Sequence, residues 1–525
     1  MHWSRWGDPD RAESLPEPIV HLLQQALGVR PPAPPVELEA VELPEPSLTT
    51  SAYEALTAPV GADHVLTDAE SRIRHTRGKS TLDLLRIRQG DASDAPDAVV
   101  QPASHEEVVQ VLEACARHRV AVVPFGGGTS VVGGLAPAGP SYAGFIVMDL
   151  RRLDRLVELD AESRLATLEP GLLAPRAEEL LRERGFTLGH FPQSFEWASI
   201  GGFAATRSSG QASAGYGRFD EMVVRMRVAT PAGTLELGRA PRTAAGPDLR
   251  HVFLGSEGAF GVITSVTVQV QPAPAASVYE GWRFASFDAG MAAMRRLAQD
   301  GPLPTVLRLS DEAETAIGLT DSAHMGSGDS PPGCLLIAGY EGSVSAVAAR
   351  REESSAVLAQ AGGEHRGVAP GERWLAGRFA APYLRDALLD VGAFAETLET
   401  ATFWSNVPRL YSAVRDELTR SLTEHGAPPL VLCHVSHLYP SGASLYFTVV
   451  CAQGDDPVVQ WRHAKSAASA AIAATDGTIS HHHGVGTDHR DWLEAEVGPL
   501  GIELLRAIKE RLDPVGILNP GVLIP

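Results

Sequence analysis

The sequence has few cysteines, and those it has form no pattern. The four are Cys115, Cys334, Cys433 and Cys451, which lie far apart and include no C-x-x-C pair. Neither a disulfide framework nor a zinc site is therefore indicated, and we expect four thiols buried in the protein core.

Long apolar runs are also missing. No stretch of the 525 residues approaches the length that a membrane-spanning helix needs. The first residues, MHWSRWGDPDRAES, lack the apolar region of a signal peptide. We therefore expect a soluble, cytoplasmic protein.

Positive charge is scarce. The chain has 44 Lys and Arg against 64 Asp and Glu, a formal net charge of -20. Such a charge repels nucleic acid, so we expect small-molecule partners and no nucleic acid. An anionic substrate would need local arginines. Residues 72–90, RIRHTRGKSTLDLLRIRQG, are unusually basic for this protein, and they form either a solvated basic face or part of an anion site.

Glycine, in contrast, is concentrated in a loop at Pro124–Gly134 with the sequence PFGGGTSVVGG. Two predicted buried strands, Val120–Val123 and Phe145–Leu150, flank it. Consecutive glycines let several backbone N–H groups approach one ligand, which is typical of a nest for phosphate oxygens. The loop matches neither a Walker sequence nor G-x-G-x-x-G. A tight surface loop is the plain alternative.

Two further segments share this small-residue character, at Pro192–Gly217 and Gly255–Thr264. The first also contains aromatic residues, among them Phe195 and Trp197, which are rare in disordered linkers. We therefore expect its backbone to lie against a flat ligand. Three glycine segments that feed strands of one domain indicate such a site more strongly than any one of them.

The length suggests roughly two to four domains or subdomains, and the pattern predicts an α+β fold. Ser104 and Glu107 form a capping box for a helix that ends near Arg117. After Pro272 the pattern indicates a second, antiparallel α+β layer. The predicted strands are Ala98–Gln101, Leu153–Val157, Arg164–Leu168, Ile263–Val270, Tyr279–Ser286, Val306–Leu309, Cys334–Gly339, Leu445–Cys451 and a short one before Ser480. The other predicted helices are Ile19–Leu27, Leu172–Arg184, Val458–Ala474 and Leu500–Leu512.

The order of the motifs resembles a known family. PFGGGTSVVGG, PQSFEWASIGG with TRSSG, GSEGAFGVIT, HHHGVG and DPVGILNPG follow one another as in the vanillyl-alcohol oxidase superfamily, which has the PCMH-type FAD-binding fold. Within it, the chain from about residue 70 to its end is most similar to the alkylglycerone-phosphate synthases. The resemblance implies an N-terminal arm (1–65), a PCMH-type FAD-binding domain of two α/β subdomains (66–275), an antiparallel-sheet cap domain that binds substrate (276–478) and a C-terminal segment that completes the site (479–525).

The resemblance also implies FAD as cofactor. Many relatives bind the flavin covalently through a histidine of the first loop, which is absent here, so noncovalent FAD is implied. The implied FAD-binding residues are Pro124, Phe125, Gly126, Gly127, Gly128, Thr129, Ser130, Pro192, Gln193, Ser194, Ser199, Gly201, Gly202, Ala204, Thr206, Arg207, Glu257, Gly258, Gly261, Val262 and Ile263.

Four residues are the predicted catalytic groups. His481, His482 and His483 are adjacent, and such a triplet forms a proton relay, a metal cluster or a polar turn; the family implies acid/base work or substrate orientation, with no metal. Tyr439, in SHLYPSGASLYF, falls on the family's catalytic tyrosine. A core or rim tyrosine is the alternative, because a phenol needs a shifted pKa to exchange protons at neutral pH.

Two arginines are the predicted substrate contacts. Arg385 in PYLRD and Arg308 in LRLSD fall on arginines of the family's active site, and a guanidinium suits a substrate phosphate. The alternative for each is a salt bridge, to Asp386 and Asp311 respectively.

The activity implied by the resemblance is exchange of the acyl group of an acyl-dihydroxyacetone phosphate for a fatty alcohol, without net oxidation. The alternative is an FAD-dependent oxidoreductase of the D-2-hydroxyacid or lactate dehydrogenase type. Those enzymes carry two histidines and a glutamate; here only His434 remains, beside Tyr446 and His482 in the other two positions. A flavin-holding protein without catalysis would lack the titratable groups found here. We also expect phosphorylated long-chain lipid substrates, a homodimer and peripheral contact with a membrane.

Overall fold

The computed structural model describes residues 1–137, 142–318 and 332–525. Its strands are β1 (Val65–Leu66), β2 (Ala98–Val100), β3 (Ala121–Phe125), β4 (Phe145–Asp149), β5 (Leu156–Asp160), β6 (Leu165–Leu168), β7 (Phe186–Thr187), β8 (Val223–Thr230), β9 (Gly233–Leu237), β10 (Val262–Gln269), β11 (Gln271–Pro272), β12 (Ala276–Phe284), β13 (Val306–Ser310), β14 (Cys334–Gly342), β15 (Glu364–His365), β16 (Ala393–Phe403), β17 (Leu430–Val435) and β18 (Gly442–Ala452).

Helices pack around these strands. They are α1 (Glu17–Leu27), α2 (Thr50–Val60), α3 (Ala69–Arg74), α4 (Thr81–Arg88), α5 (His105–His118), α6 (Ala174–Arg182), α7 (Ile200–Thr206), α8 (Ser213–Tyr216), α9 (Phe219–Met222), α10 (Arg250–Phe253), α11 (Phe287–Asp300), α12 (Glu312–Ile317), α13 (Val344–Gln360), α14 (Ala369–Gly377), α15 (Ala381–Asp390), α16 (Val407–Glu424), α17 (Pro457–Ala474) and α18 (Leu493–Leu512). No described helix is both long and apolar enough to cross a bilayer.

The first sheet positions the PFGGGTSVVGG loop. Its strand order is β1-β2-β4-β3, and β2, β4 and β3 run parallel. The loop leaves the carboxyl end of β3, the end at which parallel sheets bind ligands. The C-terminal residues lie along the same strand, because Asn519 N donates to Val122 O at 2.8 Å.

The second sheet carries the other two glycine segments. It is antiparallel, with the order β5-β6-β10-β8-β9, and it shares a buried core with α6, α7 and α18. Segment 255–264 leads directly into β10, and α7 lies within segment 192–217. Both segments therefore reach the site from this one layer.

The third sheet is the predicted antiparallel layer. Seven strands in the order β15-β12-β14-β13-β17-β18-β16 pair antiparallel throughout. One apolar core joins this sheet to α11, α13, α16 and α17. The α+β class is thus confirmed, and the four cysteines are buried and free, as expected.

Some predicted elements differ from the observed ones. Leu153 is buried in the core, and the strand predicted from it begins only at Leu156. Ser104 caps α5 as expected, but the Glu107 carboxylate accepts from Ala103 N and so does not complete the box. The predicted final helix begins at Leu493, earlier than expected, and is broken at Gly498.

The short strand predicted before Ser480 is wrong. Thr478 does lie along β16, where its N–H donates to Ala401 O at 3.0 Å and its carbonyl accepts from Thr400 Oγ1 at 2.7 Å. These contacts do not continue as a strand, because the chain turns at Ser480 into the histidine triplet.

Most of the basic segment 72–90 is buried and paired within the protein. Arg72 is buried and donates to Pro96 O and Pro44 O. Lys79 is buried as well, and its Nζ donates to His2 O and Trp3 O at 2.8 Å each. The segment's cations therefore hold other parts of the chain in place, including the first residues of the N-terminal arm.

Candidate functional site

One cavity of about 630 Å³ lies between the glycine segments and the third sheet. Most of the residues predicted to bind FAD line it: Pro124, Phe125, Gly126, Gly127, Gly128, Thr129, Ser130, Pro192, Gln193, Ser194, Ser199, Gly201, Gly202, Thr206, Glu257, Gly258, Gly261 and Ile263. Ala204, Arg207 and Val262 do not line it. Ala204 and Val262 are buried in the core, and Arg207 Nε donates to Leu254 O.

Close backbone contact explains the glycines of the first loop. A Cβ on Gly127 would lie 1.9 Å from Trp197 O, so the first and second segments touch there through main chain alone. Gly128 has φ +69, a left-handed conformation that other residues rarely adopt. The two segments thereby form one continuous wall of the cavity.

Two side-chain amides have unused hydrogen-bonding atoms at this wall. Gln193 Nε2 and Gln211 Oε1 are buried without a partner among the described residues, and both side chains line the cavity. A buried donor and acceptor left unpaired are costly, so a polar ligand is the natural partner. This donor and acceptor, beside a wall of backbone and hydroxyl groups, fit the polar edge of a flavin and its phosphates.

Glu257, one of the residues predicted to bind FAD, also makes contacts within the protein. It lines the cavity, but its carboxylate accepts from Val485 N at 2.9 Å and Gly486 N at 3.0 Å. Burial raises the pKa of Glu257 to about 7, and these two N–H groups oppose that rise. The carboxylate therefore fixes the turn that follows the histidine triplet.

Tyr439 and His481 form a close pair. The Tyr439 hydroxyl lies 2.6 Å from His481 Nε2. Burial raises the pKa of the phenol, while the Arg218 guanidinium beside it acts in the opposite direction. The contact is of the length at which a phenol proton can pass to an imidazole.

The histidine triplet follows the turn of the chain at Ser480. Burial lowers the pKa of His481 to about 3, of His482 to about 4 and of His483 to about 3. The three imidazoles are therefore neutral near pH 7. His481 Nδ1 lies 3.0 Å from His482 Nδ1, which links the first two rings by a hydrogen bond.

Three functional residues were missed in the sequence. Glu399 accepts hydrogen bonds from the triplet's backbone, Arg218 lies beside Tyr439, and His437 stacks on His481 with ring centroids 5.1 Å apart. Glu399 gave no clear signal, because the strand segment FAETLETATF also holds Glu396 and three threonines. His437 gave none, because its place depends on Ser209 and Ser213, whose hydroxyls lie 3.1 and 2.9 Å from its Nδ1.

Among the described residues, one group of side chains could hold a metal ion. It consists of His437, His481 and His482, whose nearest ligand atoms lie within 4.8 Å of one another. The group does not include His434, the one ligand that remains from the dehydrogenase pattern. The metal-free site stays a prediction.

Arg308 lines the cavity and is already paired. Its Nη2 forms an ion pair with Glu314 and lies 3.0 Å from His434 Nδ1. The salt-bridge alternative named the wrong partner: Asp311 instead caps α12 and accepts from Tyr411 Oη at 3.0 Å.

Arg385 also lines the cavity. Its Nη1 donates to Lys79 O at 2.6 Å, and its Nη2 pairs with Asp386 at 3.2 Å, the partner expected from the sequence. The two arginines therefore place positive charge at the cavity from two different elements, β13 and α15.

The chain matches two known families. Residues 96–238 match the family "FAD binding domain", and residues 273–523 match "FAD linked oxidases, C-terminal domain". The cofactor prediction, FAD, is thereby confirmed.

Relatives of known activity cover nearly the whole chain. Alkyldihydroxyacetonephosphate synthase of Trypanosoma brucei brucei is 32% identical over 100% of this chain and 92% of its own length. The enzyme of that name from Dictyostelium discoideum is 33% identical over 94% of this chain and 84% of its own. A solved structure of alkyldihydroxyacetonephosphate synthase has a TM-score of 0.83 at 29% identity, and the match covers 99% of this chain and 98% of that one.

Proposed function

Because the chain belongs to the alkyldihydroxyacetonephosphate synthase family, we propose that it exchanges the acyl group of an acyl-dihydroxyacetone phosphate for a fatty alcohol. The products are an ether and a fatty acid, and no net oxidation takes place. FAD, held without a covalent bond, supplies the electron-poor ring that such an exchange needs.

The observation that carries this proposal is the pair of Tyr439 and His481. Their 2.6 Å contact joins a phenol to a neutral imidazole, and the His481 ring contacts His437 and His482, which line the cavity. Exchange next to a ketone requires a proton to be removed from the substrate and later returned. A phenol that shares its proton with an imidazole has the reach and the chemistry for both steps.

Arg308 and Arg385 are proposed to bind the substrate phosphate. Each guanidinium has five N–H donors, more than its protein partners use, so each can keep its carboxylate and still contact a phosphate. Glu314 and Asp386 then hold the two guanidinium groups in fixed orientations. These two ion pairs therefore preorganise the arginines to bind the phosphate.

The apolar side of the cavity suits a long alkyl chain. Aliphatic side chains from α1, α15, β17 and β18 line it, namely Ile19, Leu22, Leu23, Leu27, Leu384, Leu388, Leu430, Leu432 and Val450. Leu22 is half exposed, so this side also reaches the protein surface. Peripheral contact with a membrane and a homodimer are parts of the same proposal.

Product analysis tests the proposal. The FAD-loaded protein, incubated with acyl-dihydroxyacetone phosphate and labelled hexadecanol, is expected to give a labelled ether and free fatty acid. Reduction of the flavin by D-lactate, with no ether formed, would instead support the dehydrogenase alternative. A preparation that cannot be reconstituted with FAD would reject both.

A further inference from the structure

Glu399 is a buried carboxylate at the centre of the histidine turn. It lies on β16, opposite Tyr446 of β18, and its side chain has no exposed surface. Three successive backbone N–H groups donate to it: His481 at 2.6 Å, His482 at 3.1 Å and His483 at 2.9 Å. Ser480 Oγ donates as well, at 2.8 Å. Successive N–H groups that converge on one anion form a nest, and here the anion belongs to the protein itself.

The carboxylate carries its charge without a lysine or arginine partner among the described residues. The imidazole nitrogens close to it are His482 Nδ1 at 3.6 Å and His483 Nδ1 at 3.9 Å, on rings that are neutral near pH 7. Burial opposes ionisation, yet the adjacent histidines and the backbone N–H of His483 hold the pKa of Glu399 well below its usual range. Burying an ionised carboxylate normally costs free energy. If the role of Glu399 were only structural, a neutral side chain would fill it at a lower free-energy cost.

The negative charge acts on the histidine triplet, whose first ring, His481, contacts Tyr439. Burial lowers the pKa of each histidine of the triplet, and Glu399 is the neighbour that opposes this for all three. Among the described residues it is the only carboxylate hydrogen-bonded to the triplet. The Arg218 guanidinium lies on the far side, next to the phenol.

We propose that Glu399 is a positioning residue for proton transfer: it orients the histidine triplet and stabilises the positive charge that His481 acquires from Tyr439. The O–H bond of Tyr439 breaks and an N–H bond forms at His481 Nε2, which leaves a phenolate and an imidazolium. The phenolate, beside Arg218, is then the base for the substrate proton. Tyr439 later returns this proton to the reacting carbon, and His481 then returns its own proton to the phenolate, which restores both groups. No electron is gained or lost.

The tautomers follow from the same contacts. For His481 Nε2 to accept, its Nδ1 carries the other proton, which the 3.0 Å contact directs at His482 Nδ1. Other charged or titratable groups also face the pair and the triplet. They are Arg218, Asp220, Glu221, His434, His437 and Lys465.

Two substitutions test this inference, which rests on the proposed transferase activity. Glu399→Gln keeps the shape and removes the charge. Glu280→Gln is the matched control, since Glu280 is a fully buried carboxylate of the same sheet, on β12, bonded to Trp282, Arg351 and His365. Ether formation by the FAD-loaded proteins is measured between about pH 6 and pH 9.

We expect kcat of Glu399→Gln to fall about a hundredfold at pH 7 with little change in KM. Its activity should rise with pH, because Tyr439 must then lose its proton to solvent, while wild type and Glu280→Gln keep a flat profile. Loss by the same factor at every pH, or wild-type kcat, would overturn the inference. If Glu399→Gln does not bind FAD, Glu399→Asp decides: it retains the charge, so a flat profile supports the inference and a rising one contradicts it. A wild type that forms no ether would overturn the proposed function instead.

Discussion

At the scale of single residues, the proposed chemistry depends on the 2.6 Å contact between Tyr439 Oη and His481 Nε2. Burial disfavours charge on either partner, so the pair rests neutral. Arg218 beside the phenol and Glu399 beside the triplet each favour the charged form of the nearer partner. Proton transfer therefore becomes accessible without an ion pair being present in the resting site.

Tyr439→Phe removes the hydroxyl and keeps the ring. We expect turnover to fall by about a hundredfold or more, because no other described group is bonded to His481 Nε2. FAD content should stay at the wild-type level. The control is Tyr340→Phe, which removes a buried phenol bonded to Ser354 in the core of the third sheet. Wild-type turnover in Tyr439→Phe would reject the role assigned to it.

The buried triplet also predicts how stability changes with acid. Its histidines have folded pKa values of about 3 to 4, below the unfolded value of about 6.5. The unfolded chain therefore binds more protons in that window, and the free energy of unfolding falls as pH drops from about 6.5 to about 4. Each histidine should contribute roughly 1–2 kcal/mol of this loss by pH 5.

Urea unfolding at pH 7 and pH 5 checks this expectation. His483→Gln should lose less stability between the two pH values than the wild type does. His21→Gln, which removes an exposed histidine of α1, should behave as the wild type. Equal losses in His483→Gln and the wild type would show that the triplet is not the source of the acid sensitivity.

At the scale of elements, the glycine segments form one wall of the cavity because their backbones touch. Gly127 meets Trp197 O, and Asn519 Nδ2 donates to Gly134 O at 3.0 Å and Glu257 O at 2.6 Å. The C-terminal ILNPG motif thus ties the first segment to the third. We therefore expect that replacing one glycine displaces the backbone of all three segments.

Gly128→Ala tests this. A Cβ there would lie 2.5 Å from the Phe125 ring, at φ +69. We expect the affinity for FAD to fall about tenfold or more, or about 1.4 kcal/mol, measured by flavin fluorescence titration. Gly426→Ala is the control, since Gly426 has φ +78 with nothing near its Cβ. If both variants bind FAD as the wild type does, the loop geometry does not set the affinity.

How far the sequence predicts each element depends on whether its signal is local. The glycine loop, the cap at Ser104 and the buried strands are visible in neighbouring residues. The role proposed for Glu399 is not visible in this way. It requires β16 to pair in register with β18 and to meet the histidine turn, which lies far along the chain. The arginines show the same limit: PYLRD names Asp386 as a partner for Arg385, but only the fold brings Glu314 to Arg308.

At the scale of the whole molecule, an acidic protein with a net charge of -20 needs local groups to bind an anionic ligand. We propose that backbone N–H groups of the glycine segments and two oriented arginines supply the attraction that the overall charge does not. The third sheet contributes Arg308, His434 and Tyr446 to the lining of the cavity. In this proposal the glycine segments hold FAD, and residues of the third sheet determine the reaction.

We propose that this site carries out an exchange without net oxidation. This proposal is tested most directly by counting turnovers without air or any added electron acceptor. The FAD-loaded protein, given acyl-dihydroxyacetone phosphate and labelled hexadecanol, should form many ether molecules per bound flavin, matched one to one by fatty acid, while the flavin absorbance stays that of the oxidised form. A reaction that stops at one product per flavin, with the flavin reduced, would contradict the account.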